Sequence, residues 1–107
     1  MIITDEITQI KDAIVEALPV VRLYLFGSYA YGTPTEDSDY DFYVLIPRDC
    51  GIRPLIAAQT ARCALIPLNR QTPVDILADY ADRFFERSQL NTLEKTVATE
   101  GVVLYEQ

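Results

Sequence analysis

The segment LYLFGSYAYGTPTEDSDYDFYVLI, residues 23–46, limits the possible folds more than any other part of the chain. Two runs rich in branched and aromatic residues, Arg22–Phe26 and Tyr40–Ile46, read as strands. Gly27 stops the first. Ser28–Tyr31 reads as a short helical turn closed by Gly32 and Pro34, and residues 35–38 read as polar loop. Asp39 and Asp41 then stand at the lip of the second strand, where neighbouring apolar residues make charge hard to accommodate. Acids in that position need either open solvent or cations beside them.

Helical patterns surround the strands. Thr4 is a suitable N-cap, Asp5 and Glu6 suit the positive end of a helix dipole, and Ile7, Ile10, Ile14, Ala17 and Leu18 recur at helical spacing up to Pro19. After Pro47, Cys50 and Gly51 lead into a helix with Pro54 in its first turn. Its expected apolar face is Leu55, Ala58, the Arg62 stem and Leu65 or Ile66. Residues 67–71 read as a turn and 73–77 (PVDIL) as a third strand. Asp79 or Asp82 is the expected cap of a helix carrying Phe84 and Phe85. Asn91 with Glu94 resembles a capping box for a last helix lined by Leu90, Leu93 and Val97. Gly101 sits where a left-handed C-terminal residue belongs, and residues 102–105 are extended. Helices alternating with strands, without repeats or a linker, predict one α/β domain over residues 1–107, a single sheet covered by helices.

Composition removes several function classes. The net charge of -7 speaks against direct nucleic-acid binding, which needs a basic face. The chain has no histidine, so His-based triads, His-ligated zinc and His general bases are excluded. Cys50 and Cys63 form no C-x-x-C pair and read as buried thiols. The N-terminus lacks the pattern of a signal peptide, and the uncharged run at 23–35 is too short for a membrane span. A cytoplasmic protein is expected.

The acids carry the chemistry. Alternation puts Asp39 and Asp41 on one side of their strand and Tyr40, Phe42 and Val44 on the other. The two aspartate Cα atoms lie about 6–7 Å apart, which suits convergence on divalent cations. Their repulsion, about 3 kcal/mol at an effective dielectric near 20, turns into attraction when such a cation binds. Magnesium favours carboxylates, waters and phosphate oxygens, so a phosphate-bearing ligand is the natural companion. Asp75 interrupts the apolar PVDIL strand and can face the same cations if that strand is a neighbour. Gly27-Ser28, between a strand and a helical turn, is suited to a close backbone approach to phosphate. It is not a Walker A loop, because no G-x-x-x-x-G-K-[ST] occurs. Taken singly, each feature has a plainer meaning: a turn, a solvated acid, an edge residue. Tyr29 and Tyr31 read as half-buried packing residues. Order and spacing together carry the sharper meaning.

As a unit, Gly27-Ser28, ten residues, Asp39, one residue, Asp41, and then Asp75 resembles the polymerase β nucleotidyltransferase superfamily, whose pattern is G-S-x10-D-x-D with a later strand carboxylate. FGSYAYGTPTEDSDYDFYVLI and the closing EGVVLYE, residues 100–106, look like the minimal nucleotidyltransferase (MNT) branch. The resemblance implies a two-layer fold, a small mixed β-sheet packed with helices. It implies that Gly27 and Ser28 bind the nucleotide triphosphate and that Asp39, Asp41 and Asp75 hold two Mg²⁺ ions. Asp75 would also assist deprotonation of an acceptor hydroxyl that attacks the α-phosphate of ATP. It further implies a partner, a HEPN-domain ribonuclease toxin whose tyrosine receives AMP, in a hetero-oligomer that also completes the site. Neutralisation by binding alone and transfer to a small-molecule hydroxyl such as an aminoglycoside are the alternatives. Every position of the pattern is filled. Tyr40 is bulkier than the residue usual between the two aspartates, and alternation turns it toward the core. Arg48, Arg53, Arg62, Arg70, Arg83 and Arg87 are the candidate triphosphate contacts.

Overall fold

Thr4 opens the first helix as its sequence suggests, its hydroxyl accepting from the Ile7 amide at 3.1 Å. Helix α1 (Asp5–Ala17) buries Ile7, Ile10 and Ile14 completely. The computed structural model describes residues 4–32, 39–68 and 72–107. The expected polar loop at 35–38, and Arg70, lie outside the described residues. After α1 come β1 (Arg22–Phe26), α2 (Ser28–Tyr31), β2 (Tyr40–Ile46), a 3₁₀ turn (Arg48–Cys50) and α3 (Pro54–Ala64). They are followed by β3 (Val74–Tyr80), α4 (Ala81–Arg87), α5 (Leu93–Glu100) and β4 (Val102–Glu106).

The four strands form one sheet in the order β3-β2-β1-β4. Strand β1 is antiparallel to both β2 and β4, whereas β2 and β3 are parallel. A parallel pair cannot be joined by a tight turn, and α3 is the crossover that joins this one. The mixed sheet packed with helices is therefore the fold. On one face Leu23, Leu25, Phe42, Val44 and Ile76 pack with α1 and with Ala57 and Ala61 of α3. The opposite face carries a smaller cover: Tyr24, Tyr43 and Leu45 pack with Phe84 of α4 and Val97 of α5. The Phe84 ring lies 5.5 Å from Tyr24 and 5.0 Å from Tyr43. Helices thus flank both faces, the second side being a thin aromatic layer added to the expected two. Among the described residues no helix is long and apolar enough to cross a membrane.

Several local expectations are corrected. Strand β3 runs past Leu77 to Tyr80, because its register with β2 continues through Leu45–Asp79 and Ile46–Tyr80. Asp79 is consequently a buried strand residue and not a helix cap: its Oδ1 accepts from the Tyr80 amide at 2.7 Å, and Tyr80 is the N-cap of α4. Thr92, and not Asn91, caps α5, accepting from the Lys95 amide at 3.3 Å. Glu94 instead pairs with Arg87 at 3.0 Å. Gly101 is extended (φ -71°, ψ 163°), and a Cβ there would collide with the Val97 carbonyl. Small alanines let α3 approach α1 and the sheet closely, so Ala57, Ala58, Ala61 and Leu65 point inward while Leu55 (67 % exposed) and Ile66 (77 %) point outward. Of Leu90, Leu93 and Val97, only Val97 is buried. Cys63 is exposed and Cys50 half-buried, and both are free thiols, not the buried pair expected.

Candidate functional site

Three adjacent strands meet at one level of the sheet. Asp41 on β2 lies opposite Phe26 of β1 on one side and opposite Asp75 of β3 on the other. In-register neighbours project to the same face, so the parallel pair brings Asp41 and Asp75 together. Asp39 comes just before β2, two residues from Asp41. Asp39 and Asp75 are exposed, and Asp41 is half-buried. Burial pushes the Asp41 carboxyl pKa above its ordinary value, and the charges of Asp75 and then Asp39 push it the same way. Among the described residues no cation opposes them.

The segment leaving β1 closes on this acid from the other strand. Gly27 has φ 78° and ψ -159°, a region that only glycine occupies at low cost. A Cβ on Gly27 would overlap Asp41 Oδ2 and would stand 3.2 Å from Asp41 Cγ. The glycine is therefore needed twice, for its backbone angle and for its lack of a side chain against the carboxylate. Ser28 follows at once and opens α2, half-buried beside the same end of the sheet. The Gly27 carbonyl accepts from the Ala30 amide at 3.1 Å and shapes the turn.

Tyr40, between the two aspartates, points the other way as alternation requires. It is buried in the larger core, its ring 4.5 Å from that of Tyr29 and 6.4 Å from that of Phe42. Tyr29 is half-buried, as expected. The side chain of Tyr31 lies outside what is described.

Among the described residues no three or more carboxylate, thiol or imidazole groups form a preformed metal cage. Magnesium does not require one, since it keeps waters and takes one or two carboxylates plus substrate phosphate oxygens. Asp41 and Asp75 opposed across β2 and β3, with Asp39 nearby, fit that ion: all donors are oxygens, and the local charge is negative and uncompensated.

Four of the candidate arginines are engaged elsewhere in the fold. Arg48 pairs with Asp82 at 2.8 Å and lies over the Tyr80 ring at 4.5 Å. Arg83 reaches Asp79 at 3.6 Å, and Arg87 holds Glu94. Arg62 donates to the Ile76 carbonyl at 3.0 Å, whereas Arg53, at the N-cap position of α3, is exposed and makes no capping bond with its side chain. Sequence reasoning missed a polar group behind the site: Tyr43, Asp79 and Glu94 are all buried under α4 and α5. Burial, then Glu94 and Asp79, push the Tyr43 pKa up to about 12, so its hydroxyl stays protonated. No local pattern marks this group, because its members come from three separate elements.

The family model for the nucleotidyltransferase domain matches residues 7–100. No curated protein matches significantly. Among solved structures, a toxin–antitoxin with AMP-PNP superposes with a TM-score of 0.65 at 22% identity, over 97% of this chain and 75% of that one. A toxin–antitoxin MntA-HpeT variant with two aspartate-to-glutamate substitutions gives 0.63 at 24% identity, with the same coverage of 97% and 75%. A Sulfolobus solfataricus protein assigned as a nucleotidyltransferase gives 0.64 at 14% identity, over 95% of this chain and 78% of that one. At these identities the likeness is one of fold.

Proposed function

The chain belongs to the nucleotidyltransferase domain family, and from that premise we propose that it transfers AMP from ATP, with Mg²⁺, to a tyrosine hydroxyl of a HEPN-type toxin and so acts as its antitoxin. The observation that carries this reading is the level of the sheet where Asp41 faces Asp75 and Gly27 presses on the Asp41 carboxylate. A phosphate cradle without a side chain and a pair of like charges short of a cation stand side by side.

In this reading Asp39, Asp41 and Asp75 hold two Mg²⁺ ions. When bound, the metal neutralises charge on the phosphate oxygens. Gly27 lets the backbone approach the triphosphate, and the Ser28 hydroxyl donates to a phosphate oxygen. Asp75, exposed near the start of β3, accepts the proton of the incoming hydroxyl in this reading. The acceptor oxygen bonds to the α-phosphorus, the bond from that phosphorus to the β-bridging oxygen breaks, and pyrophosphate leaves with the electron pair. Positioning and charge do most of this work, since the protein forms no covalent bond itself.

The partner assignment draws on the resemblance of residues 26–46 and 100–106 to minimal nucleotidyltransferases and on two fold neighbours that are toxin–antitoxin structures, one with AMP-PNP. A net charge of -7 suits a basic partner in a cytoplasmic hetero-oligomer. The test is the intact mass of such a toxin after incubation with this protein, ATP and Mg²⁺. The toxin gains one or more AMP groups, and Asp41→Asn abolishes the gain. Neutralisation without a mass change would instead establish inhibition by binding, and transfer retained by Asp41→Asn would refute the assigned site.

A further inference from the structure

Two tyrosines join the segments that carry the site. Tyr29 directly follows Ser28, and Tyr40 stands between Asp39 and Asp41. Their rings are 4.5 Å apart, at 58° to one another. Tyr40 is 4 % exposed and belongs to the larger core, with Phe42 as its next aromatic neighbour. This contact lies on the core face of the sheet. On the opposite face the same two segments meet a second time, where Gly27 abuts the Asp41 carboxylate with no room for a methyl group.

The phosphate segment and the carboxylate strand are thus held from both sides. A peptide whose one side chain faces the core and whose next faces the site transmits a shift of the first to the second. We infer that Tyr29 and Tyr40 are positioning residues: their ring contact sets the distance between Ser28 and the Asp39–Asp41 pair, and hence the fit of a magnesium-bound nucleoside triphosphate. Aromatic neighbours of this kind hold a preferred geometry beyond simple burial. A displacement of about 1 Å at a reacting centre can cost about a hundredfold in rate.

This inference rests on the nucleotidyltransferase reading, and a binding measurement separates the two. The full chain is titrated with ATP at fixed Mg²⁺, and with Mg²⁺ at fixed ATP, by calorimetry. Wild type, Tyr29→Ala, Tyr29→Phe and Val97→Ala are compared, and the melting temperature of each is recorded without ligand. Tyr29 is half-buried on α2, outside the sheet, and Val97→Ala is a core truncation on α5, in the smaller cluster. Tyr29→Ala weakens Mg·ATP binding about tenfold and raises the Mg²⁺ requirement in step. Tyr29→Phe, which keeps the ring, restores wild-type binding. Val97→Ala lowers the melting temperature and binds as wild type does. Unchanged binding by Tyr29→Ala, or a loss in Val97→Ala matching that in Tyr29→Ala, overturns the positioning role. Absence of Mg·ATP binding in the wild type overturns the nucleotide site itself, and the positioning role with it.

Discussion

Replacing Asp41 with asparagine should make the metal-free protein more stable. The native pKa of Asp41 is raised above 3.8, first by burial and then by Asp75 and Asp39. The folded state therefore binds this proton more tightly than the unfolded chain does. The stability that results is fully present below the unfolded value and is lost as pH climbs through the native one. At neutral pH the carboxylate is ionised and the fold bears the strain. The in-register pairing of Asp41 with Asp75 adds a charge repulsion to the cost of burial. Two charges about 5 Å apart repel by about 3 kcal/mol at an effective dielectric of 20. Asp75 is exposed, so solvent and salt cut this to about 1 kcal/mol. For a domain of this length that is a rise of about 4–8 °C in melting temperature. Thermal unfolding in chelator, from acid to neutral pH, measures it. Asp41→Asn melts higher at neutral pH, the two proteins converge below 3.8, and added Mg²⁺ with ATP stabilises the wild type alone. A variant that melts lower than wild type at neutral pH in chelator would refute the argument, as would a difference that ignores pH.

Gly27→Ala is expected to cost about 1–3 kcal/mol from its backbone angle and to abolish stabilisation by Mg·ATP. Gly32→Ala, also at positive φ but with nothing within 4 Å of its Cβ, pays only the backbone cost and keeps ligand stabilisation. Equal ligand responses in the two would remove the steric role of Gly27. Phe84→Ala opens a cavity between Tyr24 and Tyr43 and should cost about 3–5 kcal/mol in urea unfolding; a loss within error of zero would show that the second face adds no stability. Burial alone would raise the Glu94 pKa, but a backbone amide and Arg87 outweigh it and hold the carboxyl below its ordinary 4.5. The stability it contributes is present above 4.5 and falls as pH drops through the native pKa. Arg87→Leu should therefore lower the neutral-pH melting temperature and flatten its acid limb; an unchanged acid limb would dismiss the pair as a stabilising contact.

The parts of the fold visible in the sequence are those written in short range. Strands at Arg22–Phe26 and Tyr40–Ile46 follow from runs of branched and aromatic residues, and the Thr4 cap follows from one hydroxyl before two acids. The spacing from Gly27-Ser28 to Asp39 and Asp41 could also be read directly. What could not be read is set by partners far away in sequence. Asp79 looks like a cap until β2 supplies Leu45 opposite it and extends β3. Asn91 and Thr92 offer similar cap chemistry one residue apart, and Glu94 is drawn away from a capping box by Arg87. Leu55 and Ile66 satisfy a helical period, yet alanines face inward because they permit a closer helix. The candidate site could be proposed as a set of residues, while the meeting of Asp41 with Asp75 depends on which strand lies beside β2.

That neighbour relation fixes how the site can fail. The meeting of Asp41 with Asp75 is set by a ladder of backbone hydrogen bonds between parallel strands joined through α3. A slip of one residue would turn Asp75 to the far face, and a slip of two would carry it about 6–7 Å along the strand. Nothing lies between these steps. Errors in assembling the carboxylate pair therefore come in whole units, and a chain that closes its sheet in the wrong register holds no partial version of the centre.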